Sequence, residues 1–249
     1  MILSNKVSVV TGSSRGIGAA TAILLAQNGA KVTVNYQKNR EAGEKTLTAI
    51  ESNGGKGILV QADVTDLNQV RAMVEKTEKE LGPIDILINN ANMSFPVMPF
   101  IQFPWDGFEQ KLLHEMKAAF FCCQEVAQGM IERKQGCIVN VSSGLSRVPG
   151  PGFIAHTSAK SALDAFSKSL ALELGPFGIR VNVVAPGLTI TDATAHQPEE
   201  MKKAVAERTP LKRLAEPEDI AGAILFYCTK WSQFVNGTYL PVSGGTQMT

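Results

Sequence analysis

The residues best suited to proton chemistry, His156 and Lys160, stand four positions apart. They fall in a helical pattern that we predict to cover residues 154–174, so their side chains share one face of a helix. An imidazole can act as a general acid or base, and a nearby ammonium lowers its pKa below the ordinary value of about 6.5. We therefore expect His156 to be mostly neutral at pH 7, as a ready base and a weakly populated acid.

A glycine-rich turn near the N-terminus has the residue types that bind phosphate. It reads Thr11-Gly-Ser-Ser-Arg-Gly-Ile-Gly18 and joins a predicted strand directly to a predicted helix at residues 19–28. Gly12 permits the tight turn, Gly16 lets the backbone approach a pyrophosphate, and Gly18 lets the helix pack on the strand. The helix N-terminus would then face the phosphates. A bare glycine-rich connection is the alternative for this turn taken alone.

Alternating strands and helices position these groups. Apolar β-rich runs alternate with segments of helical period, which is typical of βαβ units and a parallel sheet. The helix after Asp66, its predicted N-cap, has an apolar stripe, and a last helix starts near Pro217. Residues 187–215 form an irregular stretch around a short charged helix at 199–208. The predicted strands cover residues 7–11, 31–36, 57–61, 84–88, 136–141, 180–184 and 238–242.

Composition excludes several classes of function. Lys plus Arg number 24 against 23 Asp plus Glu, so the chain lacks the basic excess typical of proteins that bind nucleic acid or anionic membranes. Its four cysteines form no C-x-x-C pair, no long apolar segment is present, and His196 lacks the paired spacing of a metal site. We predict a cytoplasmic protein with a small-molecule partner, no metal, no nucleic acid and no membrane.

Ordered motifs along the whole chain resemble those of the short-chain dehydrogenase/reductase family, and in particular its 3-oxoacyl-carrier-protein reductases. The spacing T-G-x-x-x-G-x-G differs from the G-x-G-x-x-G of most dinucleotide-binding turns and is similar to that of this family. The further matches are Asp63 in Ala62-Asp63-Val64, Asn89-Asn90-Ala91, Ser143 at the end of Val139-Asn-Val-Ser-Ser143, Lys160, Asn182-Val-Val-Ala-Pro-Gly187 with Thr191, and Gly244-Gly245.

The resemblance implies a fold, a cofactor and an assembly. The fold is α/β, a single doubly wound Rossmann-type domain over residues 1–249 with a parallel seven-stranded sheet. Its dinucleotide-binding half covers about residues 1–92, and its catalytic and substrate-binding half about residues 93–249. The family's usual interface implies a homotetramer. The implied cofactor-binding residues are Gly12, Ser14, Arg15, Gly16, Ile17, Gly18, Asn35, Asp63, Val64, Asn90, Ala91, Lys160, Pro186, Gly187 and Thr191.

Two of the family's four catalytic positions are altered. The family uses a serine, a tyrosine, a lysine and an asparagine that holds a relay water. Ser143 precedes His156 by thirteen residues, which is the family's serine-to-tyrosine spacing, so His156 occupies the tyrosine position and Glu115 the asparagine position. Asn92 stands at the last position of the N-N-A-G motif. The chain's three tyrosines, Tyr36, Tyr227 and Tyr239, belong to other elements, so we expect none to take over the role of the missing tyrosine.

Three functions remain open from the sequence. The first is an oxidoreductase that interconverts a carbonyl and an alcohol on a small or acyl-type substrate, with Ser143, His156, Lys160 and Glu115 in the site. The second is a non-redox protein, either a dehydratase or isomerase with His156 as base or a cofactor-binding protein without reductase activity. The third is a hydrolase with a Ser143-His156-Glu115 triad, although no G-x-S-x-G elbow surrounds the serine.

Charge near the adenosine ribose selects between the two nicotinamide cofactors. An acid at the end of the second strand would bind the 2′-hydroxyl of NAD and repel a 2′-phosphate. This strand ends Asn35-Tyr-Gln-Lys38, without an acid. Arg15 can pair with a phosphate, and Lys38 or Arg40 are further candidates. We predict that NADP(H) is preferred over NAD(H).

Overall fold

The computed structural model describes residues 1–195 and 197–248, and within them seven strands form one parallel sheet in the order β3-β2-β1-β4-β5-β6-β7. The predicted α/β fold with a seven-stranded parallel sheet is confirmed. The strands are β1 (Val7–Val10), β2 (Lys31–Tyr36), β3 (Lys56–Gln61), β4 (Ile86–Asn89), β5 (Gly136–Val141), β6 (Ile179–Pro186) and β7 (Tyr239–Val242). The helices in this part of the chain are α1 (Gly16–Gln27), α2 (Arg40–Ser52), α3 (Leu67–Leu81), α4 (Trp105–Arg133), α5 (Ile154–Leu174), α6 (Glu199–Arg208) and α7 (Pro217–Cys228).

Helices cover both faces of the sheet, because successive side chains of a strand point to opposite faces. In β5, Ile138 packs in one core with residues of α3, α4 and α5, such as Met73 and Met130. Its neighbour Val139 packs in the other core with residues of α1, α2 and α7, such as Leu25. Each strand of the sheet centre is therefore buried on both sides, which explains its continuous apolar sequence.

The sheet reverses its winding between β1 and β4. The chain passes from β1 outward to β2 and β3, then returns to β4 and continues outward to β7 on the other side. Ligands of open α/β sheets bind in the crevice outside the carboxyl ends of the strands at such a reversal. Here β1 leads into the glycine-rich turn and β4 into Asn90, so both motifs border this crevice.

Local predictions for the helices agree with the structure. Asp66 caps α3, since its carboxylate accepts hydrogen bonds from the backbone N–H groups of Asn68 and Gln69. The helix at 154–174 and the charged helix at 199–208 have the predicted bounds. The apolar stripe of α3 is buried at all five positions, Val70, Met73, Val74, Thr77 and Leu81.

Several boundaries differ from the predictions. Helix α1 begins at Gly16 rather than Ala19, because the last glycines of the turn already belong to its first turn. Strand β6 continues to Pro186, because Pro186 pairs with Val242 of β7. Strand β4 begins at Ile86, two residues after the predicted start at Ile84.

No helix in the described part of the chain combines the length and apolar character needed to cross a bilayer.

Candidate active site

The glycine-rich turn lies against two other predicted cofactor-binding segments. Gly12 and Gly16 have φ angles of +59° and +57°, which glycine adopts more readily than other residues. A Cβ on Gly12 would lie 2.9 Å from Ala91 Cα, and one on Gly16 would lie 3.3 Å from Thr191 Cγ2. The structure therefore brings together the ends of β1 and β4 and the loop after β6. Their close approach requires glycine at positions 12 and 16, because a Cβ at either position would crowd a neighbouring segment.

Two asparagines hold this turn in place. The Asn35 side chain is buried, its Oδ1 accepts from the Gly12 N–H at 2.9 Å, and its Nδ2 donates to the Ala62 carbonyl at 3.1 Å. Asn90 Nδ2 donates to the carbonyls of Thr11 and Gly12. Both residues were predicted to bind the cofactor, and in this structure their side chains shape the turn itself.

The start of α1 fits a pyrophosphate. Arg15 is its N-cap residue in extended conformation, the first turn contains no acid, and no side chain of the described residues caps it. The backbone N–H groups that begin a helix need acceptors, and a phosphate supplies them. Ser14 precedes Arg15 on the turn and Ile17 lies in the first turn of α1, and the Ser14 carbonyl accepts a hydrogen bond from the Thr46 hydroxyl.

The predicted adenine-contacting acid is already engaged by protein groups. Asp63 accepts hydrogen bonds from Gln37 Nε2 at 2.7 Å and from the Thr65 hydroxyl at 2.7 Å and backbone N–H at 2.9 Å. Burial acts to raise the pKa of Asp63, but these hydrogen bonds outweigh it and hold the pKa below its usual value. Val64 beside it is buried in the core under α3. The carboxylate is thus ionised and fixed at the end of β3.

The loop after β6 is also well supported. The Gly187 N–H donates to the Val242 carbonyl at 2.9 Å, next to the paired residue Pro186. Thr191 begins a short 3-10 turn whose Thr194 hydroxyl accepts a hydrogen bond from the Thr191 N–H at 3.0 Å. Of the predicted residues of this loop, Thr191 is the one that lies against Gly16 of the glycine-rich turn.

Glu115 lies between two lysine ammonium groups. Its Oε1 is 2.5 Å from Lys160 Nζ, and its Oε2 is 2.5 Å from Lys111 Nζ. All three side chains are buried. Burial alone would raise the pKa of Glu115, but the charges of Lys160 and Lys111 lower it to about 2. Glu115 therefore points inward, and it is ionised at neutral pH.

His156 is buried beneath an aromatic ring. Its imidazole stacks on Phe95 with ring centroids 4.5 Å apart, and it is only 8% exposed. Its Nδ1 has no hydrogen-bond partner among the described residues. Burial is the main cause that lowers the pKa of His156 to about 3, with Lys160 and Lys111 adding to the effect and Glu115 opposing it. The predicted direction is correct, but the desolvation, which is the larger cause, could not be read from the sequence.

The hydrolase triad is not assembled in this structure. Ser143 Oγ accepts from the Leu145 N–H at 3.2 Å, and no hydrogen bond joins it to His156 within the described residues. Both oxygens of Glu115 are bound to lysines rather than to the imidazole. A serine that is not activated by a base lacks the feature on which such a nucleophile depends.

A tyrosine supports the segment that carries Ser143. The Tyr239 hydroxyl lies 3.2 Å from the carbonyl oxygen of Ser143 and 3.2 Å from Ser146 Oγ. Strand β7 pairs with β6 in the sheet, and this pairing brings the side chain under the turn that follows β5. Tyr239 thus supports the backbone of Ser143, and sequence distance concealed the contact.

Lys111 is the site residue that the sequence reasoning missed. It is completely buried, and it stands one helical turn before Glu115 on α4. The available signal was the i, i+4 spacing of an acid and a base, which on most helices marks an exposed pair.

Within the described residues, no group of three or more His, Cys, Asp or Glu side chains is arranged to hold a metal ion.

Comparisons with known proteins show the family of this chain. A family model described as enoyl-(acyl carrier protein) reductase matches residues 12–247. The 3-oxoacyl-[acyl-carrier-protein] reductase FabG of Staphylococcus aureus strain Mu50 is 33% identical over 245 residues, which are 98% of either chain. The chain belongs to the short-chain dehydrogenase/reductase family. Another family member, the uncharacterized oxidoreductase YgfF of Escherichia coli K12, is 36% identical over 96% of this chain and 99% of its own.

Solved structures of the family superpose closely. A 7α-hydroxysteroid dehydrogenase complexed with NADH and 7-oxo glycochenodeoxycholic acid has a TM-score of 0.93 at 32% identity, covering 98% of this chain and 94% of its own. The promiscuous keto-reductase LugOII of lugdunomycin biosynthesis has a TM-score of 0.93 at 34% identity, covering 100% of both chains. The family's oxidoreductases thus include proteins that act on carbonyl and alcohol groups.

Proposed function

We propose that this protein is an NADP(H)-dependent oxidoreductase that interconverts a carbonyl and an alcohol on a small or acyl-type substrate. The observation that supports this most directly is the position of Lys160. Its ammonium donates to the Val141 carbonyl at 2.8 Å and to Glu115, which leaves one of its three N–H donors for a ligand at the carboxyl end of β5. That strand end also carries Ser143, two residues beyond Val141.

The chain's own residues would bind the cofactor and stabilise charge. The nicotinamide cofactor supplies the hydride when bound. The turn from Gly12 to Gly18 would hold its pyrophosphate, and Lys160 its ribose. The Ser143 hydroxyl would donate a hydrogen bond to the carbonyl oxygen. Two ammonium groups against one carboxylate leave a net positive charge, which would stabilise a developing alkoxide.

His156 has a different part in this proposal from that of a family tyrosine. With a pKa of about 3 it is neutral at pH 5 to 8, so its imidazolium form is too scarce there to supply the proton of the alcohol, which would come from solvent. A neutral imidazole can still donate one hydrogen bond. The low pKa also makes it a weak base, which argues against base-promoted dehydration or isomerisation by His156.

The test of this function is consumption of reduced cofactor. Ketones, enones and 3-oxoacyl thioesters would be supplied with NADPH or NADH, while dehydration and ester hydrolysis would be followed on matched compounds. We expect carbonyl-dependent oxidation of NADPH. Ester hydrolysis or dehydration without cofactor consumption would overturn the proposal.

Cofactor preference follows from charge near the ribose. Arg15 is exposed at the glycine-rich turn, whereas Arg40 is ion-paired with Glu44 at 2.7 Å. We expect NADPH to bind more tightly than NADH, and Arg15→Ala to erode that preference with less effect on NADH. Calorimetry with both cofactors measures this, and Lys45→Ala on the neighbouring helix is a control because Lys45 pairs with Glu41. Tighter NADH binding by the wild-type protein would contradict the charge argument.

A second candidate is a cofactor-binding protein without reductase activity. The observation that favours it is the loss of the family's tyrosine together with the covered position of His156 under Phe95. Such a protein would bind NADPH, but no carbonyl compound would cause it to oxidise the cofactor. The same assays therefore distinguish the two functions.

We also propose a homotetramer. Apolar side chains are exposed on the two long helices that the family uses for its interface, namely Leu113 and Phe120 on α4 and Leu172 on α5. Leu172 is 79% exposed, so a second copy packed against it would remove apolar surface from water. Light scattering at micromolar concentration tests the assembly, and a monomer would contradict it.

A further inference from the structure

Lys111 is held by a complete set of acceptors in the interior. Its Nζ donates to Glu115 Oε2, to Asn92 Oδ1 at 2.7 Å and to the Met93 carbonyl at 3.0 Å. An ammonium has three donors, and all three are used. A buried lysine with three acceptors, one of them a carboxylate, is charged and fixed in orientation. Three hydrogen bonds therefore fix the position of the Lys111 ammonium.

The charge of Lys111 acts on Lys160 through a shared carboxylate. Each ammonium occupies one oxygen of Glu115, so neither lysine can take both. If Lys111 were absent, both oxygens of Glu115 would be available to Lys160. The ammonium of Lys160 would then turn toward α4 and away from the ligand side of β5.

Lys111 also ties the loop after β4 to the same ion pair. Asn92 and Met93 begin that loop, and Phe95 follows with its ring centroid 5.1 Å from Lys111 Nζ. The same ring stacks on His156. One lysine therefore contacts both the helix that carries Glu115 and the loop that covers His156.

We propose that Lys111 is a positioning residue of the active site, which acts through Glu115 to keep the ammonium of Lys160 directed at the cofactor and substrate. This inference rests on the proposed binding of a nicotinamide cofactor. It extends that function to a residue outside the family's catalytic positions, and it links Asn92 and Glu115, two of the departures from the family motifs, in one hydrogen-bonded network.

The network has a consequence for pH dependence. The charged and titratable groups that face Lys111 are Glu115 on its own helix and Lys160 and His156 on α5. Burial lowers the pKa of Lys111 to about 8, with Lys160 adding to the effect and Glu115 opposing it. Above that pH Lys111 loses its charge, and Glu115 is left to Lys160 alone. Cofactor affinity and turnover should therefore both fall across an alkaline transition near pH 8.

The experiment compares Lys111→Met with wild type between pH 6 and 9.5. The readouts are the dissociation constant of NADPH, from nicotinamide fluorescence, and kcat with the best carbonyl substrate. We expect wild-type affinity to weaken about tenfold across the transition, as for the loss of one nearby charge. Lys111→Met should show the weakened affinity at every pH, and its kcat at pH 7 should be lower by about 100-fold, as for a misplaced catalytic group.

Two further variants separate positioning from general damage. Lys117→Met removes an exposed lysine from the same helix and should keep the wild-type transition. Lys111→Met/Glu115→Asn removes the carboxylate that captures Lys160, so it should recover kcat relative to Lys111→Met. A wild-type transition in Lys111→Met, or no recovery in the double variant, would overturn the proposal. NADPH affinity can be measured without turnover. A wild-type protein that binds NADPH but reduces no carbonyl would therefore refute the proposed reaction, while the NADPH dissociation constant of Lys111→Met would still test the role of Lys111.

Discussion

Glu115→Gln is expected to destabilise the protein by about 3–5 kcal/mol at pH 7, the range typical of breaking a buried ion pair. The change leaves the ammonium groups of Lys111 and Lys160 buried side by side without a counter-charge. The measurement is the free energy of unfolding from urea titration. Glu109→Gln, at an exposed position of the same helix, is the control and should stay within about 0.5 kcal/mol of wild type.

The pH dependence of this loss has a definite sign. In Glu115→Gln, Lys111 loses the carboxylate that opposes its desolvation, so its pKa falls further below the unfolded value of about 10.4 and the unfolded chain binds more protons. The variant should regain stability as the pH rises from 7 to 10. In wild type, the pKa of Glu115 is lowered to about 2, so its contribution is present above about pH 4.5 and is lost as the pH falls toward 2.

Lys111→Met should suppress the effect of Glu115→Gln. The double variant Lys111→Met/Glu115→Gln carries one buried ammonium, Lys160, rather than two, and Lys160 keeps the Val141 carbonyl as an acceptor. In the Lys111→Met background, we expect Glu115→Gln to lower the free energy of unfolding by about 2 kcal/mol less than it does in wild type. The reason is that substitutions of directly interacting groups are not additive. Equal costs in both backgrounds would show that the two residues do not share one ion-pair network.

His156→Tyr is expected to raise carbonyl reduction by about 10²–10⁴-fold, the usual contribution of a positioned general acid. The change restores the family's proton donor at its own position, one helical turn before Lys160. The measurement is kcat/KM for NADPH-dependent reduction. His156→Phe is the matched control, since it adds a ring of similar size without the hydroxyl, and it should show no gain. NADPH affinity should change little in either variant.

The pH profile of the wild-type protein tests the role of His156 directly. If His156 were the proton carrier with an ordinary pKa, reduction would speed up as the pH falls toward and below about 6.5, but a pKa of about 3 moves that rise out of the neutral range. We therefore expect no acceleration of reduction between pH 7.5 and 5. A steep rise over that interval would show that His156 does donate the proton. An inactive wild type with an active His156→Tyr would instead mean that the native protein is not a working reductase.

Local patterns in the sequence by themselves determined the elements of this fold. Hydrophobic periodicity is a property of neighbouring residues, so the bounds of α5 and α6 and the buried stripe of α3 could be predicted from the chain. The position of the glycine-rich turn between a strand and a helix could be predicted for the same reason, because these three segments are contiguous in the chain. The ordered family motifs then supplied the sheet and the expected site positions.

Tertiary structure alone decided the chemistry of the site. One buried cluster contains Lys111, Glu115 and Lys160 only because α4 and α5 pack side by side. Glu115 and Lys160 are 45 positions apart, and no sequence spacing predicts a contact over that distance. Tyr239 reaches Ser143 because β7 pairs with β6, across 96 positions of the chain. The pKa of His156 depends on the ring that covers it and on how much water the fold removes. Desolvation and charge pairing are properties of three-dimensional surroundings, so the sequence could name the residues of the site but not their protonation states.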